Sequence, residues 1–177
     1  MGEKTKSFIS ILSIRLMKDL VDFFDANLTF GTLIKTGKKM ASIDRRMEGA
    51  DLQKSLGVVE AEPISEGNLK LLPKCPFTKP TRDYESATGK AIPGSLKKVM
   101  RIANKTGQFA AVTPFCIIHQ AFREAVGSHF DKEIKHLGAK NEAGEIALAS
   151  KNIEELGLSE EEIKEKLGSY ECIYWIS

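Results

Sequence analysis

PFCIIHQAFREAVG, residues 114–127, is the stretch that decides the fold. Proline suits the first turn of a helix and glycine suits its C-terminal cap, so this stretch predicts a helix that begins at Pro114 and ends at Gly127. Its buried face is marked by apolar residues at helical spacing, which are Phe115, Ile118, Phe122 and Val126. The stretch therefore predicts a central helix that packs into the core.

Segments with the pattern of short strands lie on both sides of this helix. VVEAEPI (58–64) and NLKLL (68–72) precede it, and residues 133–138, residues 145–149 and the terminal SYECIYWIS follow it. In the terminal segment, alternation places Tyr170, Cys172, Tyr174 and Ile176 on one face and Ile173 and Trp175 on the other. We therefore expect an α/β (α+β) fold with a mixed or antiparallel sheet packed against helices.

The N-terminal part of the chain has a helical pattern. Residues 7–24 predict an amphipathic helix, and residues 32–56 predict a second helical region that includes a short helix at 51–56. We divide the chain into a helical extension, residues 1–57, and an α/β ligand-binding domain, residues 58–177. An amphipathic helix outside a core needs a partner, so the extension is a candidate dimerisation element and a homodimer is expected.

The rest of the chain divides into loops and short helices. Residues 76–94 contain three prolines and two glycines among many polar residues, which predicts a long loop of the kind that often covers a binding site. Residues 95–107 predict a short helix. Ser159 and Glu162 have the spacing of a capping box, which predicts another helix at 160–167.

Charge and composition narrow the functional classes. The 26 basic and 24 acidic residues leave a net charge of only +2, so we expect no nucleic-acid partner. Charged residues interrupt the apolar stretch 8–24, which argues against a signal peptide and a membrane span. Three widely spaced cysteines argue against a disulfide framework, so a cytoplasmic protein is expected.

The cysteines and one histidine are the main concentration of reactive side chains. Cys116 and His119 lie three residues apart, about one turn along the same face of the central helix. Cys75 lies in a turn bounded by two prolines, and Cys172 lies in the terminal strand. Thiolate and imidazole are preferred zinc ligands, so these four residues form a candidate Cys₃His metal site.

Other interpretations of these residues stay open. Three thiolates also suit an iron–sulfur cluster, with His119 or a ligand completing it. Without a metal, Cys75 or Cys116 with His119 has the composition of a nucleophile and its base. The cysteines and His119 are also compatible with plain core positions. His129 and His136 lie in polar surroundings, and we expect both of them to be exposed.

Residues 69–176 resemble the 4-vinyl-reductase-type, or hydrocarbon-binding, group of small-molecule-binding domains. LKLLPKCPF around Cys75, FCIIHQAFREAVG and YECIYWIS carry the resemblance. The placement of the cysteines is also similar to that in aminothiazoline-carboxylate hydrolase-like proteins. The hydrocarbon-binding group usually has a further acidic–cysteine segment before its last cysteine, and residues 140–170 here contain no cysteine. Membership of this group implies a mixed α/β fold with an apolar cavity and zinc near the C-terminus.

Three hypotheses follow. The first is a domain that binds a small apolar or aromatic molecule under the 76–94 loop, beside a metal or cluster at the cysteines. Aromatic residues are the expected lining of that cavity, namely Phe77, Phe115, Phe122 and Tyr174. The second is a hydrolase or reductase that uses the Cys/His site. The third is a structural adaptor whose cysteines belong to the core.

Overall fold

The computed structural model of the chain describes residues 3–46, 60–64 and 66–177. These residues form seven helices and five strands, an α+β fold. The helices are α1 (Glu3–Phe24), α2 (Ala26–Arg46), α3 (Lys79–Thr88), α4 (Gly94–Lys105), α5 (Pro114–Ser128), α6 (Ser150–Glu155) and α7 (Glu160–Lys166). The strands are β1 (Glu60–Ile64), β2 (Gly67–Leu72), β3 (Ile134–Lys140), β4 (Ile146–Leu148) and β5 (Cys172–Ile176).

The strands form one antiparallel sheet in the order β1-β2-β5-β3-β4. The last strand of the chain, β5, therefore lies at the centre of the sheet, where it pairs with β2 on one side and β3 on the other. All five residues of β5 are buried, because neighbouring strands cover both its edges and helices cover both its faces. This burial explains why the segment is almost entirely apolar.

The two faces of the sheet contact different helices, as the alternation in the terminal segment predicted. One face contributes Ile173 and Trp175 to a cluster with apolar residues of β2, α6 and α7. The other face presents Cys172, Tyr174 and Ile176 beside Cys75. A separate apolar cluster lies among α1, α2, α4 and α5. The central helix α5 therefore lies between this helical cluster and the second face of the sheet.

The structure confirms most of the predicted elements and corrects two. The central helix, the two N-terminal helical regions and all five strands are present, and Ser159 and Glu162 form the capping box of α7. Residues 76–94 are not a continuous loop, because α3 occupies residues 79–88 within them. The helix α6 was not predicted. The predicted short helix at 51–56 and the domain boundary at residue 57 lie outside the described residues.

The misreading of α3 has a physical cause. Pro80 occupies the first turn of the helix and Gly89 caps its end at φ 64°, a left-handed conformation that glycine adopts without strain. Both residues terminate regular structure in a sequence pattern, but here they mark the two ends of one helix. The segment after Cys75 is therefore largely helical and is not the continuous loop that the sequence predicts.

The helices of the described residues were also compared with the requirements of a membrane span. None of them combines the necessary length with the necessary apolarity.

Close packing of α2 on α5 generates the first prediction. A Cβ atom added at Gly37 would lie 2.3 Å from the backbone oxygen of Ile118, whereas a Cβ at Gly31 on the same helix would meet nothing within 4 Å. We expect Gly37→Ala to lower the free energy of unfolding by about 1–3 kcal/mol, because a backbone oxygen cannot move aside as a side chain can. Urea denaturation measures the change.

Gly31→Ala is the matched control. It adds the same methyl group to the same helix in open space, so we expect it to raise stability by up to about 1 kcal/mol through helix propensity. Equal effects of the two substitutions would contradict the close approach of α2 and α5.

Candidate functional site

One face of α5 carries the first group of polar residues in the candidate site. Cys116, His119 and Arg123 follow one another at intervals of three and four residues, so their side chains project from the same side of the helix. All three are almost completely buried. Burial of a histidine and an arginine costs free energy unless hydrogen-bond or charged partners lie next to them. The residues that surround this face of α5 therefore determine the chemistry of the site.

The sheet supplies the second group. His136 on β3 lies directly opposite Tyr174 on β5 in the antiparallel register, and Cys172 lies two residues before Tyr174 on the same face. His136 and Tyr174 are each 0% exposed. The prediction that His136 is exposed was wrong, because its strand, β3, lies inside the sheet and its side chain packs next to His119 of α5.

The segment that follows β2 supplies the third group, which consists of Cys75 and Phe77. Glu171 holds this segment against the start of β5: its Oε2 accepts a hydrogen bond from the Cys75 backbone N–H at 2.7 Å and another from the Thr78 hydroxyl at 3.0 Å. The Glu171 backbone N–H donates to the Leu72 carbonyl at 2.8 Å. Glu171 therefore positions Cys75 beside Cys172.

The Cys75 and Cys172 thiols form a hydrogen-bonded pair. Donation of the Cys75 S–H to the Cys172 sulfur raises the pKa of Cys75 and lowers that of Cys172. Burial further raises the pKa of Cys75, and the Arg123 guanidinium further lowers that of Cys172. Loss of one proton from the pair is easier than loss of both, because the remaining S–H can donate to the thiolate. The first proton is lost from Cys172, whose pKa is lowered, and Cys75 keeps the second.

Cys116 is close enough to influence both of these thiols, although it packs with the helical cluster. Burial, and then the Cys75 charge, raise the pKa of Cys116, and a Cys116 thiolate would in turn raise the pKa of Cys172. The Cys116 sulfur lies 3.5 Å from the Thr113 hydroxyl, which also donates to the Phe77 carbonyl at 3.2 Å. Thr113 thus links Cys116 to the segment that carries Cys75.

A row of rings connects the helix to the sheet. Phe77 stacks on His119 with ring centroids 3.8 Å apart and planes inclined by 15°. His119 lies 5.6 Å from His136, and His136 lies 5.5 Å from Tyr174. The guanidinium carbon of Arg123 lies 4.1 Å from the centroid of the Tyr174 ring, within the range of a cation–π contact.

Burial and the Arg123 charge keep both histidines neutral. The pKa of His119 is well below its usual value because of burial, the Arg123 charge and the His136 charge. The pKa of His136 is well below its usual value because of burial and Arg123. Burial raises the pKa of Tyr174 to about 12. At neutral pH the cluster therefore presents neutral imidazoles, a neutral phenol and one cation.

Some polar atoms of this cluster have no hydrogen-bond partner in the structure. These atoms are Nδ1 and Nε2 of His136 and the phenolic oxygen of Tyr174. A buried polar atom without a partner costs about 1–3 kcal/mol, and most such atoms in folded proteins are satisfied by protein, water or a ligand. These atoms belong to two fully buried residues that lie opposite each other on adjacent strands.

Four cavities in the described part of the chain are lined by other residues than those of this polar cluster. One of them, of about 40 Å³, is lined by Thr78 and Thr113 together with residues of α3 and the β3–β4 turn. Three larger cavities, of about 320, 480 and 280 Å³, lie elsewhere on the surface. None of these four cavities is lined by the residues expected to contact a ligand, which are Phe77, Phe115, Phe122 and Tyr174.

Those four aromatic residues separate into different environments. Phe77 and Tyr174 belong to the cluster around the cysteines. Phe115 packs with the helical cluster, and Phe122 is half-buried on α5. The structure thus places Phe77 and Tyr174 together and does not join Phe115 to them.

The four predicted metal ligands are all buried in one region, but they are not arranged as a finished metal site. Cys75, Cys116, His119 and Cys172 come from the post-β2 segment, α5 and β5. Within the described ranges, no three histidine, cysteine, aspartate or glutamate side chains converge as metal ligands. The donor chemistry suits zinc, while the observed positions of the donors do not yet form its tetrahedron.

Sequence reasoning missed two residues that organise the site. Arg123 lies one helical turn beyond His119, and its position on the same face of α5 was a usable signal. Glu171 precedes Cys172 in the terminal segment and looked like an ordinary polar residue next to a strand. Its contact with Cys75 joins positions 96 residues apart, so only the folded chain reveals it.

The chain was compared with known proteins in three ways. Family models, curated proteins and solved structures were searched, and none of the three comparisons found a match.

The Glu171 contacts generate the second prediction. We expect Glu171→Ala to lower the free energy of unfolding by about 1.5–3 kcal/mol, because two hydrogen bonds to a carboxylate are lost. We also expect Cys75 to react faster with iodoacetamide in the folded protein, since its segment is no longer held to β5. Denaturation and mass-spectrometric mapping of the alkylated thiol measure the two effects.

Glu142→Ala is the control, because exposed Glu142 also pairs with Arg82, a neighbour of Glu171. We expect this variant to stay within about 0.5 kcal/mol of the wild type. Unchanged alkylation of Cys75 in Glu171→Ala would show that Glu171 does not hold the segment.

The neutral histidines generate the third prediction, for metal-free protein. His119 and His136 have lowered pKa values in the folded state, whereas unfolded histidine titrates near pH 6.5. The unfolded chain therefore binds more protons below this pH, and stability falls as the pH falls. We expect a loss of up to about 1.4 kcal/mol for each histidine between pH 7.5 and 5.5.

Urea denaturation across this pH range measures the loss. His119→Asn and His136→Asn should each remove about half of the pH-dependent loss of stability that the two histidines together cause. A slope that both variants leave intact would mean that the charged imidazoles are accommodated in the fold.

Proposed function

We propose that this protein binds a small molecule at the buried cluster between α5 and the sheet. The observation that carries the proposal is the pair of fully buried residues, His136 and Tyr174, whose polar atoms lack partners. Buried polar atoms in folded proteins nearly always have a partner, so three such atoms on two neighbouring residues favour a binding site at this place. A bound polar group would satisfy them and recover the cost of their burial.

The surroundings of these atoms define the chemistry of the ligand. The Tyr174 hydroxyl can donate or accept a hydrogen bond, and neutral His136 offers one donor and one acceptor. Arg123 contributes a positive charge over the Tyr174 ring, which favours a ligand with a carboxylate or another electron-rich polar group. Phe77, stacked on His119, supplies an apolar surface for an aromatic or aliphatic part of the molecule.

Entry of such a ligand requires movement of the protein. The cavity beside Thr78 and Thr113, of about 40 Å³, has room for only a few water molecules, since each water needs at least roughly 10–15 Å³. Thr78, in the segment that follows β2, lines this cavity, and Glu171 holds the segment against the start of β5. Binding therefore involves release of this segment.

The ionisation state of Cys75 and Cys116 argues against either of them as the nucleophile of a thiol-dependent enzyme. A thiolate is the reactive form of cysteine, and the raised pKa values of Cys75 and Cys116 keep both residues protonated at neutral pH. His119 stacks on Phe77, and the Cys116 sulfur contacts Thr113. A hydrolase or reductase using these residues, and a structural adaptor with the cysteines in its core, remain the alternatives.

A zinc site is a second candidate function, favoured by the burial of three thiols and His119 in one region. Binding would require Cys116 or His119 to approach the Cys75–Cys172 pair, and zinc would supply the positive charge that deprotonates the thiols. An iron–sulfur cluster is the alternative for the same donors. Membership of the hydrocarbon-binding group stays a prediction.

We further propose that the protein works in the cytoplasm as a homodimer. Three buried cysteines that are all free thiols fit a reducing compartment. Large apolar side chains on the outer surface of α1 fit a surface covered by another chain.

The fourth prediction tests this function by native mass spectrometry of protein that is purified without oxygen. We expect a non-covalent organic adduct in the wild type and in Tyr84→Phe, and at least tenfold lower occupancy in Tyr174→Phe. Tyr84 is the matched control because it is a buried tyrosine of the helical cluster, outside the site. The same spectra count zinc, and iron with acid-labile sulfide would identify a cluster.

A stability measurement on the ligand-free protein makes the test independent of the ligand's identity. If the Tyr174 hydroxyl lacks a partner, Tyr174→Phe should leave the ligand-free protein as stable as the wild type or more stable. A loss of more than about 1 kcal/mol would show that the hydroxyl has an internal partner, and the proposal would then fail.

A further inference from the structure

The outer surface of α1 carries a stripe of large apolar side chains that no described residue covers. The α1 stripe consists of Phe8, Ile9, Leu12, Leu16 and Phe23, with exposures of 64, 46, 46, 57 and 84%. At 100° per residue these five positions fall within about one third of the helix circumference. Single exposed apolar residues are ordinary on a protein surface, but a continuous stripe of this kind marks an interaction site.

The stripe is separate from the face that attaches α1 to the protein. Ile14, Met17 and Val21 are buried and pack into the helical cluster. They lie on the opposite side of α1 from Leu12 and Leu16. The helix is therefore apolar on two sides, and the inner side alone accounts for its attachment to the fold.

The charges next to the stripe change sign along the helix. Arg15 and Lys18 come first, and Asp19 and Asp22 follow, with Lys18 already paired to Asp22 in the same helix. In an antiparallel pair of helices related by a twofold axis, one flank of the first helix meets the same flank of the second, and the residues run in opposite order along the two helices. Arg15 of each copy then lies opposite Asp19 of the other copy, which gives two pairs of opposite charges. In a parallel pair, residues of the same kind and charge lie at the same level.

We propose that the α1 stripe binds the α1 stripe of a second copy in antiparallel orientation, with the twofold axis close to Leu16. This inference deepens the homodimer of the proposed function and rests on it, but it is independent of the ligand site. Leu16 of each copy packs at the centre, and Leu12 and Phe23 pack towards the two ends. Arg15 and Asp19 border the contact on one side.

The size of the stripe suits a specific dimer. The two phenylalanines can bury about 150–250 Å² each, and the three aliphatic side chains of the stripe are somewhat smaller. Because all five are about half exposed or more, they offer roughly 100 Å² each, or about 500 Å² per copy. The pair would bury about 1,000 Å², which is the lower end for a specific interface. A contact of this area dissociates readily, and the dimer is expected to depend on protein concentration.

The polar residues of α1 favour a protein partner over a lipid surface. Helices that lie on membranes carry an excess of lysine and arginine on their polar face. Here Arg15 and Lys18 are balanced by Asp19 and Asp22, so the helix has little attraction for anionic lipids. A second copy satisfies both the apolar stripe and the alternating charges.

The fifth prediction concerns the oligomeric state of the full chain, which sedimentation velocity measures over a range of protein concentrations. We expect a dimer for the wild type, a monomer for Leu16→Asp and a dimer for Ile43→Asp. Ile43 is the matched control because it is 58% exposed, as Leu16 is 57% exposed, but it lies near the far end of α2. Unchanged circular dichroism spectra would show that both variants are folded.

Cross-linking distinguishes the antiparallel arrangement from any other dimer. In Leu16→Cys the two new thiols lie next to each other, so a short bismaleimide should link the copies efficiently. In Phe8→Cys the two new thiols are separated along the helix axes by the rise of about 16 residues, or about 24 Å, so the cross-linker should not join them. Wild-type protein, whose cysteines are all buried, gives the background.

Each outcome decides the inference. A wild-type monomer, including one that binds vesicles of anionic lipid, would overturn both the homodimer and the stripe pairing. A dimer that persists in Leu16→Asp, or that cross-links through Phe8→Cys as strongly as through Leu16→Cys, would overturn only the pairing. Neither result bears on the buried ligand site, which the Tyr174 variants test separately.

Discussion

The pairing of β5 between β2 and β3 is the constraint on which the rest of the structure depends. This strand lies between β2 and β3, so the five-stranded sheet is continuous only when β5 is in place. One side of β5 anchors α6 and α7 through Ile173 and Trp175. The other side brings Cys172 and Tyr174 under α5, so the same backbone hydrogen bonds that hold the sheet also assemble the candidate site.

Such a strand makes the polar cluster part of the core and not an addition to the surface. The rings from Phe77 to Tyr174 pass from the post-β2 segment through α5 to the sheet, and Arg123 covers the last of them. Buried polar groups of this kind stabilise a fold only when all of them have partners. A ligand that satisfies these groups, as proposed above, would therefore also raise the stability of the fold.

Much of the fold could be predicted because it depends on local patterns. Helical spacing gave α1 and α5, and the alternation of Cys172, Ile173 and Tyr174 gave the two faces of β5. Predictions failed where a residue's meaning depends on distant contacts. Pro80 and Gly89 look like loop residues until they are seen to bound α3, and His136 looks exposed until β3 is known to lie inside the sheet.

The candidate site could be predicted to a smaller extent. Cys75, Cys116, His119 and Cys172 are all buried, and Cys75 lies beside Cys172. No three such donors converge as metal ligands in the part of the chain that the structure describes, so the four-residue site stays a prediction. Their relative positions could not be predicted, since these follow from the register of β5 and the reach of Glu171. The Glu171–Cys75 contact joins positions 96 residues apart and leaves no local pattern.

The order of the strands has a further consequence at the two edges of the sheet. Edge strands expose unpaired backbone groups, which can join the sheet of another molecule and lead to aggregation. Here one edge is β4, with only three residues, and the other is β1, which contains Pro63 and the charged Glu60 and Glu62. A proline removes a backbone donor and the acidic residues repel a like strand, so both edges resist edge-to-edge addition of further strands.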